Sequence, residues 1–229
     1  MRNLRYRQLL ANLIVLIFYF LSGAIAGEGE QSGIDKGKLR VPQSDKAWET
    51  LYLVPFDNVS TEVLHRIGGA IKMQIPLYYT FMEAERMPQE AFNPARRQYL
   101  STALLDLLYD KYAAPGRRVL GVCESDLYVP KLNFVFGEAD MKRRVAVISL
   151  ARLHQEFYGL PPDEIIFTSR TLTEAVHEMG HTYGLSHCRD PHCVMFFSNS
   201  LADTDRKGYR FCKRCLNELD KTFRPGQTD

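Results

Sequence analysis

Charge of one sign is what this chain most plainly lacks. Its 29 lysines and arginines face 27 acidic residues, and the small excess sits at the amino terminus, where Arg2, Arg5 and Arg7 stand among 26 residues with no acid. The remainder carries 26 basic against 27 acidic side chains. Nucleic acid and anionic membranes are recognised through basic patches, so neither is an expected partner. Cysteine is scarce too, five in 229 residues, and none stands directly after the apolar run Leu9–Leu21, so a lipid-modified amino terminus is not expected. Global disorder is excluded by composition: 45% hydrophobic and 24% charged residues suffice for a sizeable core.

What is present begins with a basic opening, an apolar run of about a dozen residues and small residues at Ala24 and Ala26, the pattern of an export signal cleaved after Ala26. The run is short for a membrane span, with an uncleaved anchor as the alternative. The expected organisation is residues 1–26 signal or anchor, 27–47 linker, 48–187 a catalytic subdomain, and 188–229 a carboxy-terminal subdomain. The linker contains no cysteine or histidine that could block a metal.

The chain is organised around HEMGHTYGLSHC, residues 177–188. His177 and His181, four apart on a helix, share one face and can offer ring nitrogens to one metal ion. His187 on an unbroken helix would lie about 9 Å further along and roughly 240° around. Gly184 removes that difficulty, because glycine takes the left-handed conformation that ends helices and turns the chain back. Three neutral imidazoles leave a fourth tetrahedral position open, as in a catalytic zinc site, and Glu178 is placed to take a proton from water held there. The expected reaction is hydrolysis of peptide bonds by zinc-activated water with Glu178 as general base.

Around this stretch, strands are expected at 51–56, 75–83, 117–124 and 143–153, with Asn133 to Glu138 either an edge strand over the active-site cleft or a core strand. Helices are expected at 60–74 with Ser60 as N-cap, at 95–113 with Tyr99, Ala103 and Leu107 inward, and from about Thr168 to Tyr183. Alternating strands and helices imply an α+β fold with a mixed sheet. An extended peptide could add to the edge strand by main-chain hydrogen bonds. His65 and His154 stand alone and are expected in the core or at the surface.

Cys188, Cys193, Cys212 and Cys215 form a CxxxxC and CxxC pair 18 residues apart. That spacing suits four thiolates on a structural zinc ion, with two disulfides or a redox CxxC as alternatives. Neighbouring side chains in an extended segment point oppositely, so His187 can face one ion and Cys188 another. His192 is a lesser candidate ligand, and Cys123 is expected as a small buried hydrophobe.

The patterns HEMGHTYGLSHCRDPHCVM and CKRC resemble the archaemetzincins, a metzincin-clan family of zinc metallopeptidases, as do FNPARRQY (92–99), SDLYVPKLNFVFGEA (125–139) and VAVISLARL (145–153). The resemblance covers about residues 48 to 220. It implies a metzincin-like fold with a zinc-clamped carboxy-terminal subdomain, two zinc ions, peptide or protein substrates, and Met195 as the methionine of a Met-turn beneath the catalytic zinc. Some relatives in the clan place an oxyanion-stabilising tyrosine two residues later, where this chain has Phe197; Tyr209, Tyr183 and Arg170 are candidates for that role. A monomer is expected, exported or anchored. The competing readings are a catalytically silent zinc-stabilised module that binds peptides or partners, and a zinc-ribbon nucleic-acid binder, which the missing basic face disfavours.

Overall fold

The structure, a computed structural model, describes residues 49–223. The expected signal or anchor, the expected linker and Trp48 lie outside the described residues. The strands are β1 (Thr50–Pro55), β2 (Tyr78–Phe81), β3 (Phe92–Asn93), β4 (Gln98–Leu100), β5 (Arg117–Cys123), β6 (Leu127–Tyr128), β7 (Gly137–Asp140) and β8 (Val145–Ser149). The helices are α1 (Thr61–Gln74), α2 (Ser101–Tyr112), α3 (Glu164–Thr182), α4 (Leu201–Lys207) and α5 (Lys213–Phe223).

The main sheet has the order β2-β1-β5-β8-β7, parallel except for β7, which runs antiparallel to β8 at one edge. Apolar residues alternate between its two faces, as the two-residue strand period requires. Leu51, Leu53, Leu120, Val122, Ala146 and Ile148 share a cluster with Ile67 and Ile71 of α1 and Val176 and Met179 of α3. Val54, Val119, Val145 and Val147 share the other with Leu104, Leu105 and Leu108 of α2. The α+β fold is therefore three-layered, with α1 and α3 on one side and α2 on the other.

Helix α1 begins as expected, with Ser60 Oγ accepting from Val63 N at 3.2 Å. It continues through Gly68 because the Tyr79 ring of β2 lies against that position, where a Cβ would stand 2.6 Å from the ring. The helix expected at 95–113 begins instead at Ser101, and residues 92–100 form the β3–β4 hairpin. Pro94 and the left-handed Arg97, φ 55°, turn the chain there. The inward face of α2 is correspondingly Leu104, Leu105 and Leu108, with Ala103 and Leu107 only partly buried. The edge strand lies later than expected, at Gly137–Asp140 rather than Asn133–Glu138, because Val135 is taken by a bridge to Leu127. The second and last expected strands shorten to Tyr78–Phe81 and Val145–Ser149.

Helix α3 starts four residues before the expected Thr168. Asp163 is its N-cap, the carboxylate accepting from Ile165 N at 3.0 Å and Ile166 N at 2.9 Å. Asp163→Ala removes this cap and should lower the chain's unfolding free energy by about 1 kcal/mol in a denaturant titration, while Asp163→Ser should recover most of the loss.

Candidate metal centres and active site

The second half of α3 carries His177, Glu178 and His181 into the interior, and Gly184, φ 89°, turns the chain back so that His187 rejoins them. Ring nitrogens of His177, His181 and His187 lie within 4.8 Å of one another. His177 Nδ1 contacts Val194 O and His181 Nδ1 contacts Leu185 O, each at 2.7 Å. Both carbonyls can only accept, so both Nδ1 atoms carry the proton and both Nε2 atoms carry lone pairs. Those Nε2 atoms face each other at 3.1 Å. Two lone pairs at that separation repel unless a cation lies between them, and such backbone-held imidazoles are the usual setting of a metal ligand. The donor set therefore fits a divalent metal such as zinc. Burial, with the nearby Lys207 and His181, holds His177 well below the usual histidine range. Burial likewise draws His181 down to about 4, so both rings stay neutral and able to ligate.

Glu178 is 6% exposed, and burial, reinforced by Glu174, pushes its carboxyl up to about 8. A metal ion beside it favours the charged form. Its place depends on Gly137 of β7, where a Cβ would stand 2.6 Å from Glu178 Cγ. Met195 is fully buried against Gly180, the residue before His181 on the helix.

The four carboxy-terminal cysteines also come together, all sulfurs within 4.8 Å of one another. Cys188 Sγ and Cys212 Sγ are 3.8 Å apart, and all five cysteines are free. A disulfide requires about 2.05 Å, whereas thiolates placed tetrahedrally about 2.3 Å from a zinc ion stand about 3.8 Å apart. The N–H groups of Asp190 and Cys212 point at Cys188 and Cys193 sulfur at 3.4 and 3.3 Å, and Arg214 Nη2 at Cys188 sulfur at 3.1 Å. Burial nonetheless pushes the Cys193 thiol up to about 11 and raises the Cys215 thiol as well. Burial pushes the Cys212 thiol up, but the Cys215 N–H and the neighbouring thiols outweigh it and draw it down to about 7. The disulfide alternative is thus not what the structure forms. His192 lies outside the cluster, exposed, its N–H directed at Asp190. His187 and Cys188 fall into different clusters, as their adjacency in an extended segment requires.

Two cavities flank the histidines under β7. One, about 380 Å³, is lined by Gly137, Glu174, His177 and Glu178 together with Leu132, Phe134 and Phe197. The other, about 420 Å³, lies beyond His181 and His187 beside Ala139, Met141 and Ser186. Ser149 N donates to Phe136 O at 2.8 Å, which marks that opposed pair as hydrogen-bonded. Alternation then leaves the main-chain groups of Gly137 and Ala139 directed away from β8, toward the free edge. The Phe197 ring lies tilted against His187, centroids 4.8 Å apart.

None of the three oxyanion candidates lines either cavity. Arg170 pairs with Asp205 and donates to Leu153 O, Tyr183 lies under the Arg118 guanidinium, and Tyr209 packs on the main core. His154 stacks on Phe167 and pairs with Glu124, and His65 meets the edge of Phe81. Sequence reasoning gave no role to Gly137, although it lies in the segment 125–139, and missed the buried pair Glu174–Lys207, 3.2 Å apart. Lys207 Nζ also lies 3.3 Å from His177 Nδ1. Glu174 sits one turn before His177 and could have been suspected from spacing, but nothing ties it to a lysine 33 residues later.

This mixed sheet, with a histidine-bearing helix under its antiparallel edge strand, is that of a zinc-dependent metallopeptidase. The pattern of peptidase family M54 matches residues 56–221, and the chain belongs to that family, the archaemetzincins. The archaemetzincin of Pyrococcus furiosus is 40% identical over 189 residues, covering 78% of this chain and 96% of that protein. That of Methanocaldococcus jannaschii is 47% identical over 148 residues, covering 65% and 74%. A crystal structure of archaemetzincin from Methanopyrus kandleri superposes with a TM-score of 0.68 at 38% identity, over 80% of this chain and 99% of that one. Another from Archaeoglobus fulgidus, complexed with malonate, gives 0.64 at 34%, over 74% and 99%.

Two outcomes follow from the geometry. Gly137→Ala should displace Glu178 and, with Glu178 as the base proposed below, lower kcat by about 10-fold or more while zinc content by elemental analysis is retained. The second concerns pH. In a chain unable to hold the metal, folded Glu178 keeps its proton to about pH 8 while the unfolded carboxyl titrates near 4.5, so stability falls as pH rises between those values. His177 and His181 act oppositely, folded below the ordinary 6.5, so their contribution rises with pH and levels off above 6.5. Of these three groups, only Glu178 titrates above pH 6.5. Between pH 6.5 and about 8.5 the melting temperature of His181→Ala should therefore fall relative to that of His181→Ala with Glu178→Gln, the Cys212 thiol contributing alike to both.

Proposed function

We propose that the chain hydrolyses internal peptide bonds with Glu178 as general base, holding a catalytic zinc ion on His177, His181 and His187 and a structural one on Cys188, Cys193, Cys212 and Cys215. The observation that carries this reading is the pair of facing Nε2 lone pairs directly beside a buried carboxylate, in a cleft open on both sides of the histidines. Zinc bound there would supply Lewis acidity to a water and to the scissile carbonyl. The chain's own part is then specific. The free edge of β7 offers the main-chain groups of Gly137 and Ala139 to an extended substrate. Glu178 takes the proton of the attacking water and passes it to the leaving amine. Met195 gives the histidines an apolar floor.

Internal cleavage is supported by the cavities themselves. An aminopeptidase needs a carboxylate for the terminal ammonium, and a carboxypeptidase needs a cation for the terminal carboxylate. The cavity beyond His187 has neither, and of the two carboxylates lining the other, Glu174 is paired with Lys207 and Glu178 is the proposed base.

The test is metal stoichiometry combined with hydrolysis of an end-blocked peptide mixture. The parent should carry two zinc ions per chain, His181→Ala one, and Glu178→Ala two. Glu178→Ala should lose about 10²-fold or more in rate, the scale of a general base. Hydrolysis by Glu178→Ala at the parent rate would remove the assignment of that residue.

A further inference from the structure

The free edge that β7 offers to a substrate leaves that strand held by the sheet on one side only, through four residue pairs with β8. A strand with a single neighbour can rock about that seam, so something else must fix its height over α3. Its side chains alternate between two faces. Gly137 and Ala139 face α3, Gly137 against Glu178 and Ala139 in the cavity beside His181. Glu138 and Asp140 face α2 instead, and neither lines a cavity of the cleft.

Glu138 is the firmer of the two ties. Ser101 Oγ donates to its Oε2 at 2.5 Å, and Thr102 Oγ1 stands 3.1 Å from both of its oxygens. Ser101 is fully buried, and both hydroxyls belong to the first turn of α2. That helix supplies no cap of its own: Leu100 at the N-cap position makes no side-chain hydrogen bond, and the first turn holds no acid. A carboxylate is what a helix N-terminus favours, and here the edge strand provides it. Hydroxyl bonds to a carboxylate, shielded from water, are short and strong. The second tie is weaker. Arg143 joins Asp140 at 2.8 Å to Asp106 of α2 at 2.5 Å, but the Asp106 side chain is 60% exposed, and ion pairs open to water hold little. Because Gly137 and Ala139 move with Glu138, a shift of β7 changes two things at once: the seat of Glu178 and the reach of the main-chain groups offered to a substrate.

We propose that Glu138 is a positioning residue of the hydrolytic site, setting the height of β7 over the three histidines by docking on the first turn of α2. It touches neither substrate nor metal and acts through the strand. The role rests on the peptidase reading given above, in which β7 receives the substrate, but the tie can be read apart from hydrolysis.

The probe is a pair of end-blocked peptides with the same cleaved bond, one of two residues, too short to pair along β7, and one of eight. The parent should favour the long peptide in kcat/KM. Glu138→Ala should lower that long-to-short ratio by about 10-fold, the worth of one or two hydrogen bonds to the strand edge, with zinc content retained. The ratio isolates the edge, because a shift of Glu178 lowers both peptides alike. Glu138→Gln, whose amide oxygen still accepts from a hydroxyl, should recover part of the loss, and it carries the comparison where Glu138→Ala does not fold. Ser101→Ala with Thr102→Val should reproduce the loss, and adding Glu138→Ala to that pair should lower the ratio no further, since residues acting through one contact are not additive. A parent indifferent to length, equal losses on both peptides, or an additive triple variant would overturn the role. The Kd of the eight-residue peptide on zinc-loaded Glu178→Ala reads the same tie without turnover. A parent that cleaves neither peptide, with a Kd that Glu138→Gln raises, defeats the catalytic reading alone. A Kd that Glu138→Gln and Glu138→Ala leave unmoved defeats the tie.

Discussion

The hydrogen bond from His177 Nδ1 to Val194 O is the constraint on which the two proposed metal centres jointly depend. It fixes the tautomer that leaves Nε2 free to ligate, and it does so with a carbonyl supplied by the carboxy-terminal segment rather than by the helix. Val194 is held by its neighbours. Cys193 belongs to the thiol cluster, Val194 N donates to Arg210 O at 2.8 Å, and Cys188 N donates to Met195 O at 2.7 Å. The cysteine cluster therefore governs the carbonyl that orients the first imidazole. His187 and Cys188 carry the same coupling from the other end, since each anchors a different centre through adjacent residues. A small, polar carboxy-terminal segment has little apolar area from which to draw rigidity, and ligands bound to one ion can substitute for it.

How much of this was legible follows from the range of the interactions involved. The helical spacing of His177 and His181, the left-handed Gly184 and the grouping of the four cysteines follow from short-range spacing, and each could be read directly. Ser60 was legible as an N-cap for the same reason. The hairpin at 92–100 was not, because Tyr99, Ala103 and Leu107 continue a helical pattern through it. What ends the pattern is a tertiary match: Gln98, buried on a strand paired with β6, bonds Asp126 and Asn133. The edge strand was shifted for a similar reason. The apolar letters of Phe134 to Phe136 serve the cavity wall and a bridge to Leu127, and pairing with β8 proper starts at Gly137, whose lack of a side chain reads as a break in sequence and is a requirement in space.

The helix α4 poses the remaining energetic question. It places Lys207, with a fully buried side chain, against Glu174 and beside His177, while Thr204 donates to the same carboxylate at 2.9 Å and Asp205 receives Arg170. Two ions removed from water cost several kcal/mol each, and their attraction repays this only with good geometry and further hydrogen bonds. Such a pair adds little net stability over an apolar substitute of equal volume. Its effect is directional. Apolar packing would let α4 slide along α3, whereas a carboxylate that must meet an ammonium and a hydroxyl admits one register. That register also brings Lys207 Nζ within 3.4 Å of Phe196 O, in the segment between Met195 and Phe197. The floor of the site at Met195 and the cleft wall at Phe197 are thus set by polar contacts, although both side chains are apolar.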